Sequence, residues 1–278
     1  MDEIKHPVIG LITDFGSKGS HYVASLKGVI LEINPSITII DISHEITPFS
    51  VVEASYVLEA TYKYFPEGTI FIIVVDPGVG SQREILAIVT ESNYFFIVPN
   101  NGIFTNILNL EKIKSCVKIE NENYFRKPVS NTFHGRDIMA PVAAHLSMGL
   151  PINDLGMPFE EEKIITTSIK SKIIEDETLI PGFIQYIDNF GNITTNIKLT
   201  RENIMLKKKI KLREGQEIKV KVKDKIITGQ FFSHFDAVPK NSILFLKGST
   251  GYLEISINQG NAAKEFDLKV SDEILIMV

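Results

Sequence analysis

The chain is poor in several things, and each scarcity removes a class of protein. It has a single cysteine, Cys116, in 278 residues, so neither an intrachain disulfide framework nor a cysteine metal cluster can form, which fits a reducing compartment. No uninterrupted apolar run approaches the ~18–20 residues of a membrane helix. The opening "MDEIKHPVIG" has early acidic residues and no apolar core of signal-peptide length. Together these predict a cytoplasmic protein with no membrane partner. Positive charge is in deficit: 29 Lys and Arg against 34 Asp and Glu leave a net charge of −5, which argues against general affinity for nucleic acid. There is no internal repeat and no low-complexity tract. What remains is 44% hydrophobic and 23% charged, the balance of a soluble globular protein. The length exceeds the roughly 100–200 residues of a single domain, so two domains are expected.

The pattern along the chain changes once. Up to about residue 150, short apolar runs alternate with helical periodicity. "PVIGLITD" reads as a buried strand, and "HYVASLKGVILEI" places Val23, Leu26 and Ile30 at helical spacing. "ITIIDIS", "TIFIIVVD", "EILAIVT" and "YFFIVP" read as further strands. "TPFSVVEASYVLEATYKYF" reads as a helix with Thr47 as N-cap and Pro48 at its first position. Alternation of this kind predicts an α/β domain with a mainly parallel sheet and flanking helices. After Leu150-Pro151 the periodicity weakens, and "FEEEKIITTSIKSKIIEDETLIPG" reads as a connector. From Gly182 only short strands appear, among them "GFIQYID", "NITTNI", "QEIKVKVKD", "SILFLK", "YLEISI" and "EILIMV", which predict an all-β barrel. The expected division is therefore an α/β domain over 1–165, a linker over 166–181 and a β-barrel domain over 182–278. A lysine run extends from Lys207 to Lys225. Within it Ile218, Val220 and Val222 alternate with Lys219, Lys221 and Lys223, which fits a half-buried strand with a solvated face better than an RNA-binding stripe.

Polar clusters stand where strands end: "TDFGSKGS", "DPGVGSQR", "PNNG" and "NTFHGRD". Ligands of open α/β sheets bind outside the carboxyl ends of the strands, so Asp14 and Asp76 are well placed for ligand work. Each cluster also has a plain reading as turn chemistry, because Asp and Asn hydrogen-bond their own backbone. "DFG" does not indicate a protein kinase, since no glycine-rich loop precedes it and no catalytic-loop motif follows. Asp14, Asp76, His134 and Asp137 are chemically able to hold a divalent ion, yet no pair of histidines stands at metal-ligand spacing among the six present. The stretch "TFHGRDIMAPVAAHL" puts His134, Arg136 and Asp137 at the start of an apolar helical run. Arg136 and Asp137 read either as part of a site or as structure, the acid being favourably placed in a first turn.

The series "LITDFG", "KGVI", "DPGVG" followed by Arg83, "PNNG", "TFHGRDIMAPVAAHL" and "IDNFGNITTNI" resembles the S-adenosyl-L-methionine hydroxide adenosyltransferases, adenosine-forming hydrolases related to the bacterial fluorinase and chlorinase. The likeness spans nearly the whole chain, with the motifs in order in both expected domains. It implies an α/β domain followed by a β-barrel, no cofactor and no metal. It also implies a homotrimer whose active sites lie between the first domain of one subunit and the second domain of the next. The implied reaction moves the 5′-deoxyadenosyl group of S-adenosyl-L-methionine from sulfur to a water-derived hydroxide, giving adenosine and L-methionine. The family's catalytic triad falls on Asp76, Arg83 and His134. Asp14 would hold the ribose hydroxyls, and Asn100, Asn101 and Phe133 would line the adenosine pocket. Asp188 and Asn192 would meet the amino-acid end and the adenine edge, Ser249 and Thr250 the methionine, and the backbone at Asn261 and Ala262 the adenine.

The chain departs from the family pattern in two places. The acid that usually follows "TDFG" is missing where Gly19 and Ser20 stand, and "IDNFGN" lacks a proline that some relatives carry. Two other functions are weighed. A halogenase would need a dry halide pocket in place of the triad and an extra loop after Gly80. A non-catalytic adenosine- or S-adenosylmethionine-binding protein would keep the fold without the turnover.

Overall fold

The computed structural model describes residues 7–167, 179–200, 203–205 and 209–277. Residues 168–178 of the expected connector, and part of the lysine run, lie outside the described residues. The chain divides into two compact units, 1–167 and 168–278.

The first unit is built on six strands: β1 Val8–Thr13, β2 Thr38–Ser43, β3 Ile70–Val74, β4 Ile85–Thr90, β5 Phe95–Pro99 and β6 Ile113–Lys118, in the order β2-β1-β3-β5-β4-β6. The first four in that order run parallel, whereas β4 is antiparallel to both its neighbours. Period-two alternation fills two cores, one on each face of the sheet. On β3, Ile70 and Ile72 join the cluster that contains Leu26 and Ile30 of α1 (Ser20–Ile33) and Val142 of α4 (Ala140–Ser147). Phe71 and Ile73 face the other cluster, with Ala54 and Leu58 of α2 (Val51–Thr61) and Ile107 of α3 (Thr105–Leu108). Cys116 is buried on β6, and burial, aided by Glu161, pushes its thiol up to about 12, which makes it unreactive.

One helix starts later than the sequence predicts, and another starts where expected but with an unforeseen first turn. α2 begins at Val51, not Pro48, because Phe49 has a left-handed φ of 69° that no helix can contain. Its cap is Ser50, whose Oγ accepts from Glu53 N, while Glu53 Oε2 reaches back past the cap and accepts from Thr47 N at 3.1 Å. The run after His134 begins as a π-helical turn, Gly135–Met139, in which Ala140 N donates to Gly135 O. Pro141 explains it: proline has no N–H for the Asp137 carbonyl one turn earlier. Arg126 N donates to that carbonyl instead, at 2.8 Å.

The second unit carries β7 Leu179–Ile187, β8 Ile193–Thr200, β9 Asn203–Met205, β10 Lys209–Lys211, β11 Glu217–Val222, β12 Lys225–Phe231, β13 Ile243–Lys247, β14 Tyr252–Ile257 and β15 Glu273–Met277. Neighbour pairing runs β8-β14-β13-β12-β11-β15-β7 and returns from β7 to β8, which closes a seven-stranded barrel. On β11 the apolar residues are buried and the lysines exposed, so the solvated-face reading of the lysine run holds for this strand. A short helix, α5 (Ala262–Phe266), adds Ala262 to the barrel core. Among the described residues no helix is long and apolar enough to cross a membrane.

Candidate active site

β2 and β3 leave β1 on opposite sides, so the β1/β3 boundary is the point where the strand order reverses. Thr13 is paired with Val74 there, and Asp14 and Asp76 follow immediately. Two acids from separate motifs are thereby set at the crevice where open α/β sheets take ligands.

The loop after β3 is tightly organised. Asp76 Oδ1 accepts from Gly78 N at 2.9 Å and lies 2.9 Å from Arg83 Nε. The Nε–H does not point at that oxygen, so this contact is an ion pair without hydrogen-bond direction. Arg83 Nη1 donates to Asn100 O at 3.0 Å. The guanidinium lies over Gly78, where a Cβ would stand 2.7 Å from Arg83 Nε. The arginine is therefore fixed from two motifs at once and keeps donor capacity to spare.

The His134 segment packs on this loop. A Cβ on Gly80, whose φ is 80°, would stand 2.2 Å from Asn131 O, and one on Gly135 would stand 2.8 Å from Val74 Cγ1. Only glycine permits both approaches. His134 precedes the π turn, and its ring has no hydrogen bond among the described residues, which leaves both nitrogens for a ligand. Phe133 packs edge-on against Phe15 and Tyr22, at centroid distances of 5.9 and 5.3 Å, with the Arg136 guanidinium 5.0 Å from its centroid. This cluster ties the loop after β1 to the His134 segment.

Arg136 and Asp137 are engaged within the protein. Asp137 is fully buried and receives Arg136 Nε and Nη2 at 2.7 and 2.8 Å and Ser130 N at 2.9 Å. Burial alone would push its carboxyl up. The Arg136 and Ser130 hydrogen bonds, with Arg126 nearby, outweigh that and hold it below the ordinary value.

The asparagine pair behaves in the same way. Asn100 is buried, with Oδ1 accepting from Ile165 N at 2.8 Å and Nδ2 reaching Lys163 O at 3.3 Å. Asn101 Nδ2 donates to Val75 O at 2.9 Å and its Oδ1 accepts from Ile103 N. Their amides are spent on the protein, so what this turn offers a ligand is its shape and backbone. Asp14 is different. One carboxylate oxygen accepts from Phe49 N at 2.9 Å, and the other accepts nothing among the described residues. Phe49 itself, 68% exposed at a strained backbone position, was missed by sequence reasoning. A left-handed non-glycine residue leaves no pattern in a sequence.

In the second unit, Asp188, Asn192, Asn261 and Ala262 come together. Asp188 Oδ1 accepts from Phe190 N and Asn192 N, and Oδ2 accepts from Asn192 Nδ2 at 2.9 Å. Ala263 N donates to Gly191 O, and a Cβ on Gly191 would stand 2.1 Å from Asn261 Oδ1. Asn261 caps α5, its Oδ1 accepting from Lys264 N at 2.7 Å. Ser249 and Thr250 lie apart from these, in the turn before β14. There Gly251 O accepts from Leu199 N, whereas Ile193, next to Asn192, pairs with Ile255. Between the two groups stands Glu254, which the sequence did not single out. Burial and the nearby Asp188 push its carboxyl up, against a hydrogen bond from Ser256 Oγ at 3.0 Å.

Fold and site together define the class, an α/β unit with charged loops for a small ligand at its strand switch point, accompanied by a β-barrel. Comparison gives the family. Residues 9–156 match the SAM hydroxide adenosyltransferase N-terminal domain and residues 182–275 the C-terminal domain, and the chain belongs to that family. A Methanocaldococcus jannaschii protein named (R)-S-adenosyl-L-methionine hydrolase is 38% identical over 97% of this chain and 95% of its own length. A protein of the same name from Thermus thermophilus is 30% identical over 93% of this chain and 94% of its own. A fluorinase from Nocardia brasiliensis is 24% identical over 99% of this chain and 98% of its own. An uncharacterized conserved protein from Thermotoga maritima, of solved structure, superimposes with a TM-score of 0.85 at 37% identity, covering 97% of this chain and 100% of that one.

Proposed function

We propose that the chain hydrolyses S-adenosyl-L-methionine to adenosine and L-methionine. A water oxygen bonds to C5′, the C5′–S bond breaks with its electron pair going to sulfur, and one proton of the water is released. The names of the similar hydrolases specify the (R) epimer at sulfur, and that epimer is taken as the substrate here. The observation that carries this reading is the Asp76–Arg83 pair, locked at 2.9 Å beside the His134 segment at the switch point. A sulfonium is already an excellent leaving group, so the protein's task is to exclude bulk water, align one nucleophile in line with C5′–S and stabilise its charge. Arg83 supplies the positive charge, and Asp76 and His134 orient the nucleophile.

Asp14 takes the ribose hydroxyls on its free oxygen and the edge of the other. Phe133 and the Asn100–Asn101 turn line the adenosine pocket. Asp188 and Asn192 meet the amino-acid end and the adenine edge, Ser249 and Thr250 the methionine, and the backbone at Asn261 and Ala262 the adenine. The barrel residues act from a neighbouring subunit of a homotrimer, working in the cytoplasm without nucleic-acid or membrane partners. Halide transfer is the less favoured chemistry. A charged Asp76–Arg83 pair is a poor cage for a desolvated halide, and only residues 81–84 separate Gly80 from β4.

The test is incubation of the protein with each sulfonium epimer in ¹⁸O-labelled water. Adenosine and methionine should appear in equal amounts from the (R) epimer, with the label in the 5′-hydroxyl. 5′-Methylthioadenosine as main product, or binding without turnover, overturns the proposal.

A further inference from the structure

Behind Asp14 runs a line of polar side chains that the proposed reaction does not use. Thr13, the last residue of β1, is fully buried, and its Oγ1 lies 3.0 Å from His44 Nδ1. On the far side of the imidazole, Nε2 lies 3.0 Å from Asp41 Oδ1, and Asp41 Oδ2 accepts from Lys27 Nζ at 2.6 Å. The same histidine offers its carbonyl to Gly16 N at 2.7 Å. One residue thus grips the chain on both sides of Asp14, by side chain before it and by backbone after it. The Phe49 N–H on Asp14 Oδ2 is a third restraint, from the loop that follows His44.

Sheet pairing alone does not require this arrangement. β1 and β2 are already joined in parallel, and a buried valine would suit the end of a strand as well as threonine. The register shifts between Leu11 and Ile12, so that Leu11 pairs with Asp41 but Ile12 with Ser43. An irregularity of this kind re-aims the residues after it, here turning His44 toward Thr13. Burial pushes the Asp41 carboxyl up, but the hydrogen bond from Lys27 and the adjacent His44 ring prevail and keep it below the ordinary value. An ionised Asp41 favours the proton on Nε2, although that N–H is not aimed squarely at Oδ1. Nδ1 is then left as the acceptor for the Thr13 hydroxyl.

We propose that His44 is a positioning residue for Asp14, holding the turn Thr13–Gly16 so that the carboxylate is set in advance to receive two ribose hydroxyls. Preorganisation of this kind lowers the ordering cost of binding. The proposal rests on the reading of Asp14 as the ribose ligand, and its test separates the two. Calorimetry with the full-length protein compares adenosine with 2′,3′-dideoxyadenosine. Wild type should prefer adenosine by about 100-fold, the order expected when hydrogen bonds to a charged acceptor are lost. Asp14→Ala should abolish the preference; its survival there, or its absence from wild type, overturns the ribose assignment and the proposal with it. With that established, His44→Ala should cut the preference about tenfold while affinity for dideoxyadenosine stays put. Thr13→Val, which removes only the hydroxyl, should cut it several-fold and gives the answer if His44→Ala does not fold. Equal losses for both nucleosides would mean mere structural damage, and an unchanged preference in the variants would mean no positioning. Either result overturns the role of His44.

Discussion

At the scale of residues, the site separates groups that are spent from groups that are available. Among the described residues Asn100, Asn101 and Asp137 have their polar atoms satisfied by the protein, whereas His134 and one oxygen of Asp14 do not. Arg83→Ala and His134→Ala should therefore lower kcat by two or three orders of magnitude, as on the order of 10²–10³ is lost with one group that stabilises developing charge. Affinity should stay within about tenfold if, as proposed, these groups act on the nucleophile. Binding that collapses in step with turnover would place them on the substrate instead. Glu254 allows a second test, of stability. Its acid form is favoured on folding, so its contribution is full below the ordinary Glu value of 4.5 and is lost as pH rises through its higher folded value. Glu254→Gln mimics the acid form. It should raise Tm at pH 8 and give no gain below pH 4.5; the same gain at both pH values would mean that ionisation is not the cause.

At the scale of elements, the sequence was most readable where apolar alternation is unbroken. β1, β3, β5, β11 and β14 stand where their runs predict, because each buries at least one face in a core. β6 and β12 went unread. In "IKSCVK" lysines interrupt the pattern, and in "KIITGQF" Ile226 is exposed and a glycine sits inside the strand. The displaced start of α2 and the π turn after His134 have non-local causes. Phe49 takes a left-handed φ while its N–H is held by Asp14, thirty-five positions away. The π turn needs Arg126 to take the carbonyl that Pro141 cannot serve. The motifs at the strand ends were legible as a set, but not the division of labour within them, since burial decides which polar atoms are used up. Asp137 shows what that division does for an element. Asp137→Ala would leave Arg136 and Ser130 N without their acceptor at the turn that presents His134. Removing one partner of a buried ion pair costs about 3–5 kcal/mol, and the partly exposed Arg136 puts this case at the lower end. Tm should fall by at least 6 °C, roughly 2 °C per kcal/mol for a chain of this size. Asp137→Asn keeps an acceptor for Ser130 N and should fall less. A shift under about 2 °C for Asp137→Ala would mean that the fork contributes little to holding the turn.

At the scale of the whole molecule, the proposal joins two sets of residues that belong to separate compact units. Asp14, Asp76, Arg83 and His134 are in the first, and Asp188, Asn192 and Asn261 in the second. Each set is internally organised, by the Asp76–Arg83 pair in one and by the Asp188–Asn192 hydrogen bonds in the other. On that proposal the groups of the first unit act on the nucleophile and those of the barrel hold the amino-acid end, so neither set suffices alone. If they serve one substrate from neighbouring subunits of a trimer, two kinds of defect should complement. A His134→Ala chain keeps an intact second unit, and an Asp188→Ala chain keeps an intact first unit. Each homotrimer should be inactive, yet mixed trimers contain junctions at which the sound first unit of one chain meets the sound second unit of the other. With random exchange of equal amounts, a quarter of such ordered junctions would be sound, so activity should return to roughly a quarter of wild type if each site works independently. Native mass spectrometry would verify the mixed trimers, and sedimentation the trimer of the unmutated protein. Mixed trimers without activity would assign each site to a single chain, leaving the switch-point groups of the first unit in place and removing the barrel of a neighbour from the chemistry.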